Sequence, residues 1–399
     1  MRLNKLNWAL AIAGAVAIPT LARAEEQKLP SVLTSVASTT LSGYVDTSAQ
    51  WNFGTGNANN PPYSFGGASK ADGFNLNVVD LALDHPIDES PWAAGYHVEL
   101  WMGPDADSLG TQSFFNNNVK ASAGDFAVRQ AYIMLHAPIG NGLDFKVGVF
   151  DSIIGYEGFS SPSNPNYTRS YGFTIEPSQH VGVLSTYKFT DSFSASVGVA
   201  DTYGPAINGR ADAESVKTYM GLLTLTCPTN CGFLAGSTFS AGVVDGTSTE
   251  SGGVLGNDLT SVYVGGTINT PITALKFGGS LDWLDIHNAV PGNDGNIWVF
   301  GVYGSYQATE KLGFYLRGEH VNMDGEANAG NFAPLAIPSP NDLEEITFTA
   351  QYDLWKNVLS RVEFRWDHAE HGDAFGGTVT GTPTRENAFM LAANVIYKF

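Results

Sequence analysis

The stretch "EEITFTAQYDLWKNVLSRVEFRWDH", Glu344 to His368, alternates twice. Ile346, Phe348, Ala350, Tyr352 and Leu354 take one side, and Glu345, Thr347, Thr349, Gln351 and Asp353 take the other. After the short "WKN" turn, Val362, Phe364 and Trp366 alternate with Arg361, Glu363, Arg365 and Asp367. A period of two places successive side chains on opposite faces of a strand. The stretch therefore predicts a hairpin with one apolar and one charged face. In a soluble sheet the apolar face packs on a core; in a membrane barrel it meets lipid and the polar face lines a lumen. One hairpin does not separate these cases, but the rest of the chain does.

Sixteen segments alternate in this way, at about 39–53, 73–84, 92–103, 124–137, 141–150, 178–190, 193–203, 214–226, 231–245, 259–269, 273–286, 295–308, 311–322, 342–355, 358–370 and 385–399. The gaps sort by length. Long ones fall near 54–72, 104–123, 151–177, 204–213, 246–258, 287–294, 323–341 and 371–384, and the short ones read "HPIDESP", "PIGN", "TDS", "CPTNC", "TPIT", "ATEK" and "WKN". Long loops on one side and tight turns on the other, with an even strand number, describe a transmembrane antiparallel up-and-down β-barrel of about 16 strands, 14 to 18 being the range. A soluble sandwich has no reason to sort its loops so strictly. The segment "AVRQAYIMLHA" alternates poorly, which suggests that a loop covers it from inside.

The chain start carries an export signature: Arg2 and Lys5, the apolar run "WALAIAGAVAIPTLA" and the small-residue site "ARA". This reads as a signal peptide over 1–24. A short periplasmic linker follows at 25–38, and a single barrel domain occupies 39–399. Removing the leader leaves 17 of the 20 basic residues against 39 acidic ones, a net charge of 17 − 39 = −22. That balance argues against nucleic acid as a partner. Past the leader no apolar run reaches the roughly 18 residues of a membrane helix. Cys227 and Cys231, four apart across a Pro-Asn turn, form a candidate disulfide in an exported chain. Two thiols with no nearby His make a poor zinc site.

Trp51, Phe53, Trp92, Trp101, Phe150, Tyr187, Phe189, Trp283, Trp298, Trp355, Trp366, Tyr397 and Phe399 sit near predicted strand ends. There they suit two interfacial aromatic girdles. The chain ends on "NVIYKF", with Phe399, Tyr397, Val395, Leu391 and Phe389 on one face. A last strand that zips against the first, near "LSGYVDTSAQW", closes the barrel without an edge.

Residues 129–203 resemble the OmpL-like β-barrel porin family of Gram-negative outer membranes. The resemblance rests on "QAY" (Gln130 to Tyr132), "LDFKVGVF" (Leu143 to Phe150), "IGYE" (Ile154 to Glu157), "NYTRSY" (Asn166 to Tyr171) and "HVGV" (His180 to Val183). "LSGYVDTSAQWNF" near the mature start looks like that family's first strand. The resemblance implies a passive channel in the cell outer membrane and gives no catalytic residues. It also implies that Tyr397 and Phe399 form the signal read by the barrel assembly machinery.

The longest loop, 151–177, is rich in Tyr, Phe and Ile. Loops of this length are uncommon unless functional or disordered, and the lumen is where such rings can be buried. Folded inward, it would bring Asp151, Tyr156, Glu157, Arg169 and Glu176 against the wall residues Arg129, Arg317, Glu319, Arg361, Glu363 and Arg365. Opposed Arg and carboxylate groups at a constriction select by charge and size; the plainer reading is that they pair and hold the loop. "DHAEHGD" (Asp367 to Asp373) crowds metal-like residues, but at a strand end His368 and His371 point to opposite faces.

The sequence thus reads as a porin passing small hydrophilic solutes and ions. No cofactor, metal or catalytic residue is assigned, and no G-x-S-x-G supports a hydrolase. Partners expected are outer-membrane lipid, lipopolysaccharide, the barrel assembly machinery and diffusing solutes, with a homotrimer as the fold-level analogue. Two alternatives stand: a sugar- or anion-specific channel with Tyr156, Tyr167 and Tyr171 as a slide, and a loop-plugged barrel acting as adhesin or scaffold.

Overall fold

The computed structural model describes residues 38–399 apart from 55, 89, 110, 112–113, 116–118, 121–124, 212–215, 250–255, 288–293, 326–334 and 336–340. The expected leader 1–24 and all but the last residue of the expected linker 25–38 lie outside the described residues.

Sixteen antiparallel strands close into one barrel. They are β1 (Thr40–Phe53), β2 (Gly73–His85), β3 (Ala93–Met102), β4 (Phe126–Ala137), β5 (Leu143–Asp151), β6 (Gln179–Thr190), β7 (Phe193–Ala200) and β8 (Thr218–Thr226). The second half comprises β9 (Thr238–Thr247), β10 (Asp258–Asn269), β11 (Leu275–His287), β12 (Gly295–Gln307), β13 (Leu312–Gly325), β14 (Asn341–Trp355), β15 (Val358–Ala369) and β16 (Asn387–Lys398). Each pairs with its neighbours in the chain, and β16 returns to β1 with Tyr44 opposite Lys398 and Phe53 opposite Phe389. The terminal Phe399 completes the seam: its N–H donates to the Gly43 carbonyl at 3.0 Å, and the Gly43 N–H donates to the Phe399 carbonyl at 3.2 Å. Only glycine fits at 43, because a Cβ there would stand 2.1 Å from the Asp80 carbonyl oxygen and 2.9 Å from the Phe399 ring. A closed ladder leaves no edge and satisfies its backbone without water, which hydrocarbon demands.

The alternation explains the faces. Val362 and Phe364 of β15 are exposed outward while Arg361, Glu363 and Arg365 are fully buried inside; Ile346 and Phe348 of β14 repeat the pattern against Glu345, Thr347 and Thr349. Phe399, Tyr397, Val395 and Phe389 are likewise exposed outward. Long connections, such as 152–178 and 370–386, lie at one end of the barrel and short ones, such as 191–192 and 356–357, at the other.

Several expectations need correction. The strand expected at 231–245 starts at Thr238, because Thr229–Leu234 coils into 3₁₀ turns. Cys227 and Cys231 are disulfide-bonded there, Pro228 brings no N–H to a ladder, and Gly232 takes φ +63°. The long loop expected at 104–123 contains a short helix, α1 (Pro104–Leu109), and the pairing of Phe114–Phe115 with Val119–Lys120. Trp101 and Phe150 do not join a girdle. Both are buried inside. Trp101 shares its parity on β3 with His97 and Glu99 and donates its indole N–H to Asp80 at 2.7 Å.

The inner face is also less polar than its alternation suggests. Leu259, Leu284, Ile286, Ile297, Val299, Val321, Met323 and Leu343, near the long-loop ends of β10 to β14, are fully buried. They form one apolar cluster with Ile154, Tyr171 and Ile175 of loop 152–178. A second cluster joins Tyr44, Val78, Trp101 and Leu109 to Phe159 and Phe173 of the same loop. The loop's rings are thus buried in the barrel on both flanks, and each buried ring adds roughly 2 kcal/mol of transfer free energy.

Candidate functional site

Loop 152–178 enters the lumen because its own hydrogen bonds shape it and the wall supplies partners for what is left over. Its base is closed by the Ser152 N–H on the Ser178 carbonyl at 2.8 Å. Asn164 ties its first turn, accepting from the Gly158 N–H at 2.9 Å and donating to the Ser160 carbonyl at 3.0 Å. Ser170 caps a single helical turn, α2 (Tyr171–Ile175), by accepting from the Phe173 N–H at 2.9 Å.

The wall opposite is a charge lattice fixed by strand register. Glu319, Glu345 and Asp367 stand side by side across β13, β14 and β15, and Arg317, Thr347 and Arg365 form the next row. Like charges side by side on a sheet repel, so each row relies on the opposite sign of its neighbour. Arg317 meets Glu345 at 3.1 Å and Glu157 of the loop at 2.8 Å, with Glu319 at 3.7 Å. Arg365 holds Asp367 at 2.7 Å and lies under the rings of Tyr63 and Tyr171.

What the wall grips is mainly loop backbone. One carboxylate oxygen of Glu363 accepts from the N–H (2.9 Å) and hydroxyl (2.7 Å) of Thr168. The other accepts from the Tyr167 N–H and the Thr349 hydroxyl. Glu319 repeats the clamp, accepting from the Tyr171 N–H at 2.7 Å and the Gly172 N–H at 3.0 Å. In the other direction Arg317 donates to the Thr168 carbonyl, Arg365 to that of Arg169 and Arg361 to those of Ser161 and Asn164. Charge-assisted bonds of this kind are about twice as strong as neutral ones.

Each expected residue can now be placed. Glu157 of the loop meets Arg317, whereas Asp151 ends β5 and meets Arg129 of the neighbouring strand at 3.0 Å, a pair within the wall. Arg129 also pairs with Glu99 at 3.1 Å and lies on the rings of Trp101 and Phe159, which is how the loop covers the poorly alternating β4. Arg361 meets carbonyls rather than a loop carboxylate. Arg169, expected against a carboxylate, instead lies between the rings of Phe65 and Phe173 and donates to the Phe159 carbonyl at 2.8 Å. Glu176, expected against an arginine, faces Asp282 of β11. Burial, and then the Asp282 carboxylate, push its pKa well above the usual carboxylate range. Tyr156 stacks on Tyr303 at 3.9 Å and bonds Thr267. Tyr171 is fully buried with its hydroxyl on Asp367 at 2.7 Å, so it does not continue a slide with Tyr156. Sequence reasoning missed Lys70, which pairs in the interior with Asp105 of α1, and Asp282. The inward parity of Asp282 beside Leu284 was the available signal.

Beside the loop lies an open cavity of about 480 Å³. Asn164 and Asn166 of the loop line it, with Tyr263, Tyr303 and Gln351 of the wall; among the described residues Lys276 is the one charged group in its lining. A second cavity, about 240 Å³, lies under the long loops and is walled by Asn52, Asn57, Asn60 and Arg385. At the rim Asp342, Glu370 and His371 bring one ligand atom each within 4.8 Å of one another; His368 lies apart, bonded to Asn387.

A family model described as "Putative beta-barrel porin-2, OmpL-like" matches residues 38–399. No curated protein matches the chain. Among solved structures, an anion-selective porin from Comamonas acidovorans superposes with a TM-score of 0.59 at 15% identity, over 91% of this chain and 99% of that one. The outer membrane channel DcaP of Acinetobacter baumannii gives 0.58 at 15% identity, over 90% and 97%. A trimer form of OmpT, an outer membrane protein of Vibrio cholerae, gives 0.56 at 14% identity, over 90% and 99%. At these identities the likeness is one of fold.

Proposed function

This chain belongs to the family described as "Putative beta-barrel porin-2, OmpL-like", and from that premise we propose how its outer-membrane porin channel passes solutes. Loop 152–178 is the constriction. Glu157 and Arg169 of the loop and the wall residues Arg129, Arg317, Glu319, Arg361, Glu363 and Arg365 serve first to hold it, with Asp151 bracing Arg129 and Glu176 facing Asp282, so few of them are left to steer ions. The observation that carries this reading is the double clamp of Glu319 and Glu363 on loop N–H groups. The open cavity beside the loop offers hydroxyls, amides and aromatic faces with a single lysine. That lining suits uncharged hydrophilic solutes and weakly selective passage of small ions, despite the strongly acidic chain.

The proposal includes export through the 1–24 leader, assembly read from Tyr397 and Phe399, a lipid- and lipopolysaccharide-facing outer surface and a homotrimer of the kind the Vibrio cholerae trimer form shows for that protein. Liposome swelling with graded polyols tests it. Swelling that falls off with solute size supports a diffusion channel. A second reading, a barrel plugged by its own loops, draws on the two apolar clusters inside the lumen; liposomes that stay impermeable to every polyol would favour it.

A further inference from the structure

Beside the arginine-bound lattice lies a set of oxygens that no arginine or lysine pairs with among the described residues. Glu176, at the base of the loop, and Asp282, on the wall, sit within hydrogen-bonding distance of each other. When both are ionised neither carboxylate offers a donor, and both Asp282 oxygens are buried without a well-formed hydrogen bond among the described residues. The Ser280 Oγ leans on Asp282, and it shares the space over Gly301 with the Tyr303 hydroxyl, a Cβ there standing 2.9 Å from the one and 3.2 Å from the other; both hydroxyls are buried without a well-formed hydrogen bond. Asp282 and Ser280 are each 3% exposed and Tyr303 7%. The loop closes on the two carboxylates with glycine alone. A Cβ at Gly155 would stand 2.3 Å from a Glu176 oxygen, and one at Gly172 would stand 2.7 Å from an Asp282 oxygen.

The charge balance around this pocket is one-sided. Glu157, Glu319 and Glu345 all draw on Arg317, which leaves no guanidinium within ion-pair distance of Glu176 or Asp282 among the described residues. Two buried carboxylates in contact do not both stay ionised without a neutralising partner. A shared proton would settle one charge and give the Tyr303 hydroxyl no partner. A hard divalent cation uses all four groups, since oxygen-only donor sets with two carboxylates are what calcium takes. Glu176 keeps a partly exposed edge, which gives an ion a way in.

We propose that Glu176, Asp282 and Ser280, with the Tyr303 hydroxyl, bind a divalent cation of the calcium class that latches the base of loop 152–178 to the barrel wall. This rests on the channel reading for its consequence, steadier conductance, but not for its binding. The affinity belongs in the weak range of extracellular calcium modules, a Kd of about 0.1–1 mM.

The test uses the full chain folded in an uncharged detergent and stripped with EDTA. Terbium is titrated in, and its emission sensitised by nearby tyrosine and tryptophan is read, with calcium as competitor. The expected result is a saturable signal displaced by calcium. Asp282→Asn and Glu176→Gln should each weaken it at least tenfold, while Asp342→Asn at the rim leaves it unchanged. Heat-resistant gel mobility establishes that each variant is a folded barrel, and Asp282→Asn together with Glu176→Gln gives two independent readings of the site. No saturable signal, an affinity in both site variants equal to that of the parent chain, or loss only in Asp342→Asn overturns the proposal. So does a change of conductance noise between pH 5 and pH 8 in a chain that binds no terbium, which would assign the pair a shared proton. Bilayer recordings in EDTA and in calcium separate the two levels. Open channels without terbium binding sink the cation site alone; terbium binding in a chain silent under both conditions sinks the channel reading alone.

Discussion

Glu363→Gln is the substitution that most cleanly probes how the loop is held. One Glu363 oxygen takes two donors from Thr168, and the other takes the Tyr167 N–H and the Thr349 hydroxyl. Glutamine keeps the shape but replaces one oxygen with an NH₂ group. The threonine hydroxyls can turn and accept; the backbone N–H groups cannot. Whichever way the amide is placed, one loop N–H faces another donor. The loss is one charge-assisted bond, with a buried donor left unpaired, together about 2–3 kcal/mol. At about 1.4 kcal/mol per tenfold, the fraction of time the loop is undocked should rise about 30- to 150-fold. Single-channel recording reads this as frequent excursions to a higher conductance that the parent chain rarely shows. Glu344→Gln is the control, because it removes a charge from the outer side of the neighbouring strand, where Glu344 pairs with His320 alone among the described residues. Excursions equally rare in Glu363→Gln and in the parent chain, with unchanged thermal unfolding, would refute the clamp.

Glu319→Gln should behave in the same way through the Tyr171 and Gly172 N–H groups, and the double variant should undock more than either alone, as separate sites add. Deleting Phe399 removes both seam bonds to Gly43; folded yield in membranes, read by heat-modifiable mobility, should fall several-fold while the conductance of channels that do insert stays the same. Reducing Cys227–Cys231 should raise the mass by the two hydrogens taken up. It should lower stability by about 2 kcal/mol at most, on the loop-closure cost of so short a ring, and leave conductance unchanged, since the turn lies at the end of the barrel away from loop 152–178.

The barrel was legible in the sequence because lipid and lumen impose a period of two on every strand, and because the loops sort by side. The places where the reading slipped are physical. Nearness to strand ends suggests girdle positions for Trp101 and Phe150, whereas parity with Glu99 and Lys146 points them inward. The start of β9 slipped because "TNCGFL" carries apolar residues that look like strand while Pro228 and Gly232 break the ladder. The pairs Glu157–Arg317 and Asp151–Arg129 could be anticipated from side-chain charge. The Glu363 and Glu319 clamps could not, since their partners are backbone N–H groups, which every residue but proline carries and no pattern marks. Sign alone pairs Glu176 with an arginine; the register that puts Asp282 opposite it is set by pairings distant in sequence.

The central claim is that loop 152–178 lies docked in the lumen of a conducting barrel and sets its bore. Planar-bilayer conductance of the parent chain beside one in which residues 156–171 are replaced by a short Gly-Ser linker tests it most directly. Open channels are expected in the parent chain, with a several-fold larger unitary conductance in the shortened one. Equal conductances, or a parent chain that never opens, would contradict it.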